Sequence, residues 1–400
     1  MIRGEIARRG AISFRRFMEL ALYHPAAGYY ERAGERLGRA GDYYTSVSVG
    51  AVFGDLLAFQ FAGWARAAGG EAWQILEAGA HDGRLAADVL GGLAQREPDA
   101  LERLEYWILE PSPTRRGWQA ERLGTWSTRV RWFATWDELP ALGVAGVIFA
   151  NELLDSLPVH RLGWDSAGQR WFEWGVGLVS DEFTWVRLPW SAESARAQCQ
   201  AEREDERREP RHVATPREVR SQAALPPAPS PALGAVLPEG FTVEFNPAAV
   251  AWWRRAARSL RRGHLLTLDY GLIEAECFAP ARAGGTLRAY AGHRQTDRLL
   301  DRPGEQDLTA HLDFTALQAA GEAEGLRTLT LTSQGQFLTG LLGQTAALPG
   351  RFPVWTPTRV RQFHTLTHPD HLGRAFRVLL QEREGCQPSA LAAPRRNDPA

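Results

Sequence analysis

The stretch Trp73-Gln74-Ile75-Leu76-Glu77-Ala78-Gly79-Ala80-His81-Asp82-Gly83-Arg84-Leu85 decides the architecture. It passes from a short, nearly unbroken apolar run through a glycine loop into a helical pattern that starts near Leu85. Three further runs of the same kind follow, at Tyr106 to Leu109, Val147 to Ala150 and Leu265 to Leu268, most with a helical stretch behind them. Apolar runs of that length without alternation fit strands covered on both faces. Strand followed by helix, repeated, predicts an α/β chain built on a doubly wound, mostly parallel sheet.

Each run ends in a polar residue: Glu77, Glu110, Asn151 with Glu152, and Asp269. In an open parallel sheet the carboxyl ends of the strands share one edge, and ligands bind in the crevice outside it. For a single strand, a polar residue more often just marks the end. Four such ends, with a glycine loop after the first, favour a site. Gly79 and Gly83 let the backbone approach a ligand and leave the next helix N-terminus open to polar groups. The dinucleotide pattern G-x-G-x-x-G is not met, and Glu110 lies further beyond Gly83 than the ~20 residues that pattern wants. A carboxylate after the second strand can accept a ribose diol, and one after the first can hold an amino group. That pairing suits a nucleoside with an amino-acid tail, S-adenosylmethionine.

Outward from this core, residues 12–23 have helical apolar spacing, broken by Pro25 and Gly28, and Val52 to Ala67 is helical again. Between Pro158 and Pro189 the segments VHRLGW, RWFEWGV and FTWVRL alternate and predict antiparallel hairpins. Their tryptophans, Trp164, Trp171, Trp174, Trp185 and Trp190, read as core in preference to a stacking platform. Residues 191–238, a charged mixture and then a proline-rich tract, read as an insertion ending in an extended linker.

Across the 400 residues, 46 basic against 47 acidic side chains give a net charge of −1, which recommends neither nucleic acid nor an anionic membrane as partner. Every basic residue is arginine, so Schiff-base lysines and the P-loop lysine are excluded. Cys199, Cys277 and Cys386 are too few and too scattered for a disulfide framework or a zinc site. With no apolar signal core at the N-terminus and no spanning run, the expectation is a cytoplasmic protein.

Several blocks stand in a distinctive order along the chain. They include ISFRRFMELALYHPAAGYY at 12–30, GDYYTS with FGDLLA at 41–58, EAGAHDGRLAADVL at 77–90, LEPSPTRRGWQAERL at 109–123 and FANELLDSLPVHR at 149–161. EFNPAAVAWW at 244–253, LLTLDYG at 265–271, GTLRAYAGH at 285–293, DLTAHLDFTAL at 307–317 and LGRAFRVLLQ at 372–381 complete the set. In this order they resemble the MidA-like family of class I S-adenosylmethionine-dependent methyltransferases, which includes a mitochondrial methyltransferase of respiratory complex I assembly.

The resemblance implies a Rossmann-like class I fold in five parts. These are an N-terminal helical extension over 1–70, a cofactor-binding core over 71–160, a Trp-rich antiparallel substrate-side subdomain over 161–240, the second half of the core over 241–385, and a disordered tail over 386–400. It implies S-adenosyl-L-methionine as cofactor, with Glu77, Gly79, His81 and Gly83 around its amino-acid tail, Glu110 on the ribose, and Thr45 and Ser46 nearby. It also implies a protein substrate methylated on arginine, with Asn151, Glu152 and Asp155 facing the transferred methyl. Glu152 and Asp155 are the expected bidentate clamp on the guanidinium. His311 is a weaker candidate for proton acceptor, and a hydrogen-bonded structural histidine is the preferred reading of it. No metal is expected.

Three positions depart from the family pattern: His81 replaces a loop glycine, Ser48 stands in the TSPE motif, and Ala51 replaces a glutamine. A second reading, a protein-binding assembly factor that kept this fold but lost catalysis, rests on these departures.

Overall fold

The computed structural model describes residues 1–32, 45–69, 71–190, 230–291, 294–348 and 350–384. The apolar runs become strands of one sheet: β1 (Trp73–Ala78), β2 (Leu104–Leu109), β3 (Val130–Phe133), β4 (Val144–Asn151), β5 (Leu260–Leu272), β6 (Arg327–Ser333) and β7 (Phe376–Arg383). Their spatial order is β3-β2-β1-β4-β5-β7-β6. β3, β2, β1, β4 and β5 are parallel. β7 runs antiparallel between β5 and β6. Strand order reverses between β1 and β4, so the crevice of a doubly wound sheet opens beyond Ala78 and Asn151.

Successive side chains of each strand point to opposite faces, and helices cover both. On one face Ile75, Tyr106, Val147, Phe149, Leu266 and Val378 pack under α2 (Val52–Ala67) and α3 (Arg84–Arg96). On the other, Leu76, Trp107, Ile148, Leu265 and Leu379 meet α5 (Pro247–Ser259) and α6 (Phe314–Ala323). The run lacks alternation because neither face meets water. Helix starts follow local chemistry: Ser112 caps α4 (Pro113–Arg122) and Asn246 caps α5, each followed by proline at the first helical position.

The Trp-rich text forms the expected antiparallel sheet, His160–Asp165, Arg170–Val179 and Glu182–Pro189, with Thr242–Phe245 and Ile12–Ser13 added. Trp164 and Trp171 are buried, while Trp174, Trp185 and Trp190 are half-buried. α1 (Phe14–Tyr23) packs with this sheet and the small sheet of Arg288–Ala291, Arg294–Thr296 and Asp307–Thr309. α2 instead belongs to the central layers, so the first 70 residues serve two parts of the molecule.

The proline-rich tract is not extended throughout. Pro231–Gly234 forms a helical turn, and Leu237 is buried with Trp164, Trp171 and Phe241, because an apolar side chain beside that cluster gains more from packing than from water. Residues 191–229 and the tail over 386–400 lie outside the described residues.

Candidate active site

The loop from β1 to α3 is shaped by its torsions. Gly79 and Gly83 have φ of +70° and +80°, a region glycine enters without steric cost. A Cβ at Gly79 would stand 2.7 Å from Leu153 Cδ1, so this glycine also permits close approach of the loop after β4. His81 adopts φ +46° without being glycine, at a cost of about 1–2 kcal/mol. Its carbonyl accepts from Gln119 Nε2 at 2.9 Å, and its ring leans toward Trp118 and Asp82. Gly83 holds the cap position of α3 and brings no side chain to the first turn.

Two buried acids flank this loop. Glu77 accepts a 2.6 Å bond from the Tyr106 hydroxyl. Burial pushes its carboxyl up to about 8 against the pull of that bond, and Asp82 adds to the rise. Glu110, at the end of β2, is 1% exposed. Its Oε1 accepts from the Ser112 N–H at 3.0 Å and from Arg115 Nε at 2.9 Å, and its Oε2 from Gln119 Nε2 at 3.3 Å.

At the end of β4 the pattern differs. Glu152 has φ +51°, the second non-glycine left-handed residue at this crevice. Its Oε1 accepts from the Ser46 N–H at 2.8 Å and from Asn151 Nδ2 at 3.1 Å. Its Oε2 and the neighbouring Asn151 Oδ1 are buried without a partner among the described residues. Burial pushes the Glu152 carboxyl up to about 8, with Ser46 and Asn151 pulling back and Asp269 adding to the rise. Ser46 Oγ donates to Gln334 Oε1 at 3.2 Å. Thr45 and Ser48 bond each other reciprocally as a capping box, so the Ser48 that departs from the motif has local work and the Thr45 hydroxyl is already engaged.

This crevice fits a sulfonium nucleoside. It offers two glycines where the backbone must come close, a helix whose cap residue brings no side chain, and buried acceptor atoms without donors among the described residues.

A family model described as "Putative S-adenosyl-L-methionine-dependent methyltransferase" matches residues 56–332. The chain belongs to this family. Its cofactor is S-adenosyl-L-methionine.

The methyltransferase is 26% identical to the Drosophila melanogaster protein arginine methyltransferase NDUFAF7 homolog, mitochondrial, over 94% of this chain and 83% of that one. It is 26% identical to the Danio rerio protein arginine methyltransferase NDUFAF7, mitochondrial, over 97% and 89%. Among solved structures, a Burkholderia thailandensis protein bound to S-adenosyl-homocysteine superposes with a TM-score of 0.75 at 30% identity, covering 95% of this chain and 90% of that one. The expectation of a cytoplasmic protein is overturned, because these curated relatives are named mitochondrial. It rested on the lack of an apolar signal core and of a spanning run, and on setting aside a transit-peptide reading of Arg3, Arg8 and Arg9 because of Glu5 and the helical pattern from Ile12; the first two features do not distinguish the cytoplasm from the mitochondrion.

Beyond Glu152 the methyltransferase carries a denser acid cluster than its sequence announces. Asp269 Oδ2 accepts from the backbone N–H groups of Leu153, Leu154 and Asp155 at 3.2, 2.9 and 3.4 Å, and Oδ1 accepts from Tyr270 N–H at 2.8 Å. Asn246 Nδ2 donates to the carbonyls of Leu154 and Leu157, and Tyr23 bonds Ser156, so the turn Leu154–Ser156 is held from three sides.

Asp155 does not stand free as half of a clamp: it hydrogen-bonds Asp269. Burial drives its carboxyl well above the usual range, and Asp269, Asp307 and Glu152 add to the rise. Burial likewise takes Asp269 up to about 7 against its backbone donors. Asp307 accepts from the Tyr30 hydroxyl at 2.6 Å.

His311 departs from its preferred reading. Its backbone N–H bonds Thr286 Oγ1 and its ring stacks on Tyr270, but Nδ1 is buried without a partner among the described residues. Burial, with Arg282 and Arg288, pushes it down to about 4, so the ring is neutral. The sequence reading missed Asp307, Tyr23, Tyr30 and Asn246 as site groups. Asn246 had a readable signal, an asparagine before proline at a helix start.

Proposed function

We propose that the methyltransferase methylates a guanidinium nitrogen of arginine in a protein substrate, with Asn151 and Glu152 receiving the guanidinium. Asp155 stands behind them as part of the acid cluster. Glu77, Gly79, His81 and Gly83 take the cofactor's amino-acid tail, Glu110 takes its ribose, and Thr45 and Ser46 border it. The observation that carries the reading is the adjacent pair of buried oxygens, Glu152 Oε2 and Asn151 Oδ1, without a donor among the described residues. A buried acceptor without a donor costs about 1–3 kcal/mol, which an N–H-rich cation recovers. The relatives' printed names support arginine as substrate.

When bound, S-adenosyl-L-methionine supplies an electrophilic methyl group on sulfur. Glu152 and Asn151 fix the plane of the guanidinium and present one nitrogen to that methyl. As the N–C bond forms and the S–C bond breaks, that nitrogen loses a proton. Glu152, raised to about 8 by burial, is placed to accept it.

Glu152→Gln keeps the shape and removes the charge. Incubated with labelled cofactor and arginine-bearing protein, it is expected to lower kcat/KM by about 10²-fold or more, while S-adenosylhomocysteine affinity stays within a few-fold. In the parent, kcat/KM rises with pH through about 8, and the variant loses that rise. Methyl label recovered by mass spectrometry only on atoms other than arginine nitrogen overturns the reading, as does full activity of the variant.

A further inference from the structure

Glu110 is more than a buried acid at a strand end. A carboxylate has about four acceptor sites, and on Glu110 they are filled unevenly. Oε1 accepts from Ser112 N–H and Arg115 Nε, and Arg115 Nη2 stands 2.8 Å from the same oxygen as an ion pair. Oε2 takes one long bond, from Gln119 at 3.3 Å. The carboxylate is thus locked by one oxygen and left with acceptor capacity on the other.

Arg115 also reaches the opposite way. Its Nη1 lies 3.1 Å from Glu31 Oε1, and Glu31 Oε2 accepts from Ser112 Oγ at 2.6 Å. Glu31 closes the short helical turn Tyr29–Glu31, whose Tyr30 bonds Asp307 in the acid cluster. One arginine therefore joins the acid after β2 to an N-terminal turn that also bonds Asp307 of the acid cluster.

We infer that Arg115 is a positioning residue for the cofactor: it holds Glu110 so that Oε2 alone meets a ribose hydroxyl, and through Glu31 it couples that contact to docking of Tyr29–Glu31. This rests on the reading of Glu110 as the ribose acid. Linkage makes the coupling reciprocal: ribose binding steadies the turn, and a docked turn steadies the acid.

The test is calorimetric binding of S-adenosylhomocysteine and of its 2′-deoxy and 3′-deoxy analogues to the full chain. The parent is expected to bind one analogue at least tenfold more weakly than the intact nucleoside. Arg115→Met is expected to shrink that gap to threefold or less, because its Glu110 is no longer aimed. Glu31→Gln keeps the gap but loses the ligand-induced slowing of hydrogen exchange over residues 14–31. If Arg115→Met does not fold, Arg115→Lys replaces it and narrows the gap, since an ammonium cannot make the two-nitrogen contact.

An unchanged gap with uniformly weaker binding reduces Arg115 to a structural part and overturns the inference. So does exchange over 14–31 that slows equally in Glu31→Gln. A parent with no gap for either analogue defeats the ribose reading of Glu110 itself and this inference with it.

Discussion

Two buried acids stand two strands apart on one sheet rim, Glu110 after β2 and Glu152 after β4, and they are completed differently. Glu110 has a guanidinium and a backbone N–H on one oxygen. Glu152 has an amide and a backbone N–H on one oxygen, no partner on the other among the described residues, and a left-handed backbone. The first is supplied with its positive charge by the chain. The second has its carboxyl pushed up to about 8 by burial, with no positive charge bonded to it among the described residues. Identical placement in the fold therefore sets up opposite chemistry, and the difference lies in which neighbours the preceding and following segments bring.

The largest effect that would break this contrast comes from Arg115. Removing it in Arg115→Met strands two buried carboxylates, so chemical denaturation is expected to show a loss of about 3–5 kcal/mol. A loss below ~1 kcal/mol would make the two acids equivalent.

Glu152→Gln acts in the opposite sense. The unfolded carboxyl ionises near its ordinary value, while the folded one holds its proton up to about 8. The protonated form stabilises the fold below the unfolded value, and this is lost as pH rises toward 8. At pH 8 the variant is expected to be more stable than the parent by about 1–3 kcal/mol, with a flatter stability–pH curve between about 4.5 and 8. Glu77, also raised to about 8, keeps part of the slope.

The smallest effect belongs to His81→Gly, which relieves the left-handed torsion. A thermal melt should show a gain of about 1 kcal/mol. Unchanged stability would mean that His81 carries no strain.

The parallel core was legible because its signal is local. Unbroken apolar runs such as Val147 to Ala150 can be read without knowing their neighbours, and the strand-end polar residues came with them. The site was legible only in part. Asp307, Tyr30 and Glu31 act across separations of scores to hundreds of residues, which no periodicity encodes. The contact between Asp155, expected as part of the guanidinium clamp, and Asp269 was not legible, because the two are far apart in the chain and meet only in the fold. The left-handed torsions at His81 and Glu152 were hidden for another reason: glycine advertises such a conformation, and these side chains do not.

The close approach of Gly79 to Leu153 ties two loops into one mutational unit. A methyl at 79 meets Leu153 Cδ1, so any side chain there requires Leu153 to swing aside or be shortened, and it inherits a torsion unsuited to it. A change at either residue is therefore felt at the other.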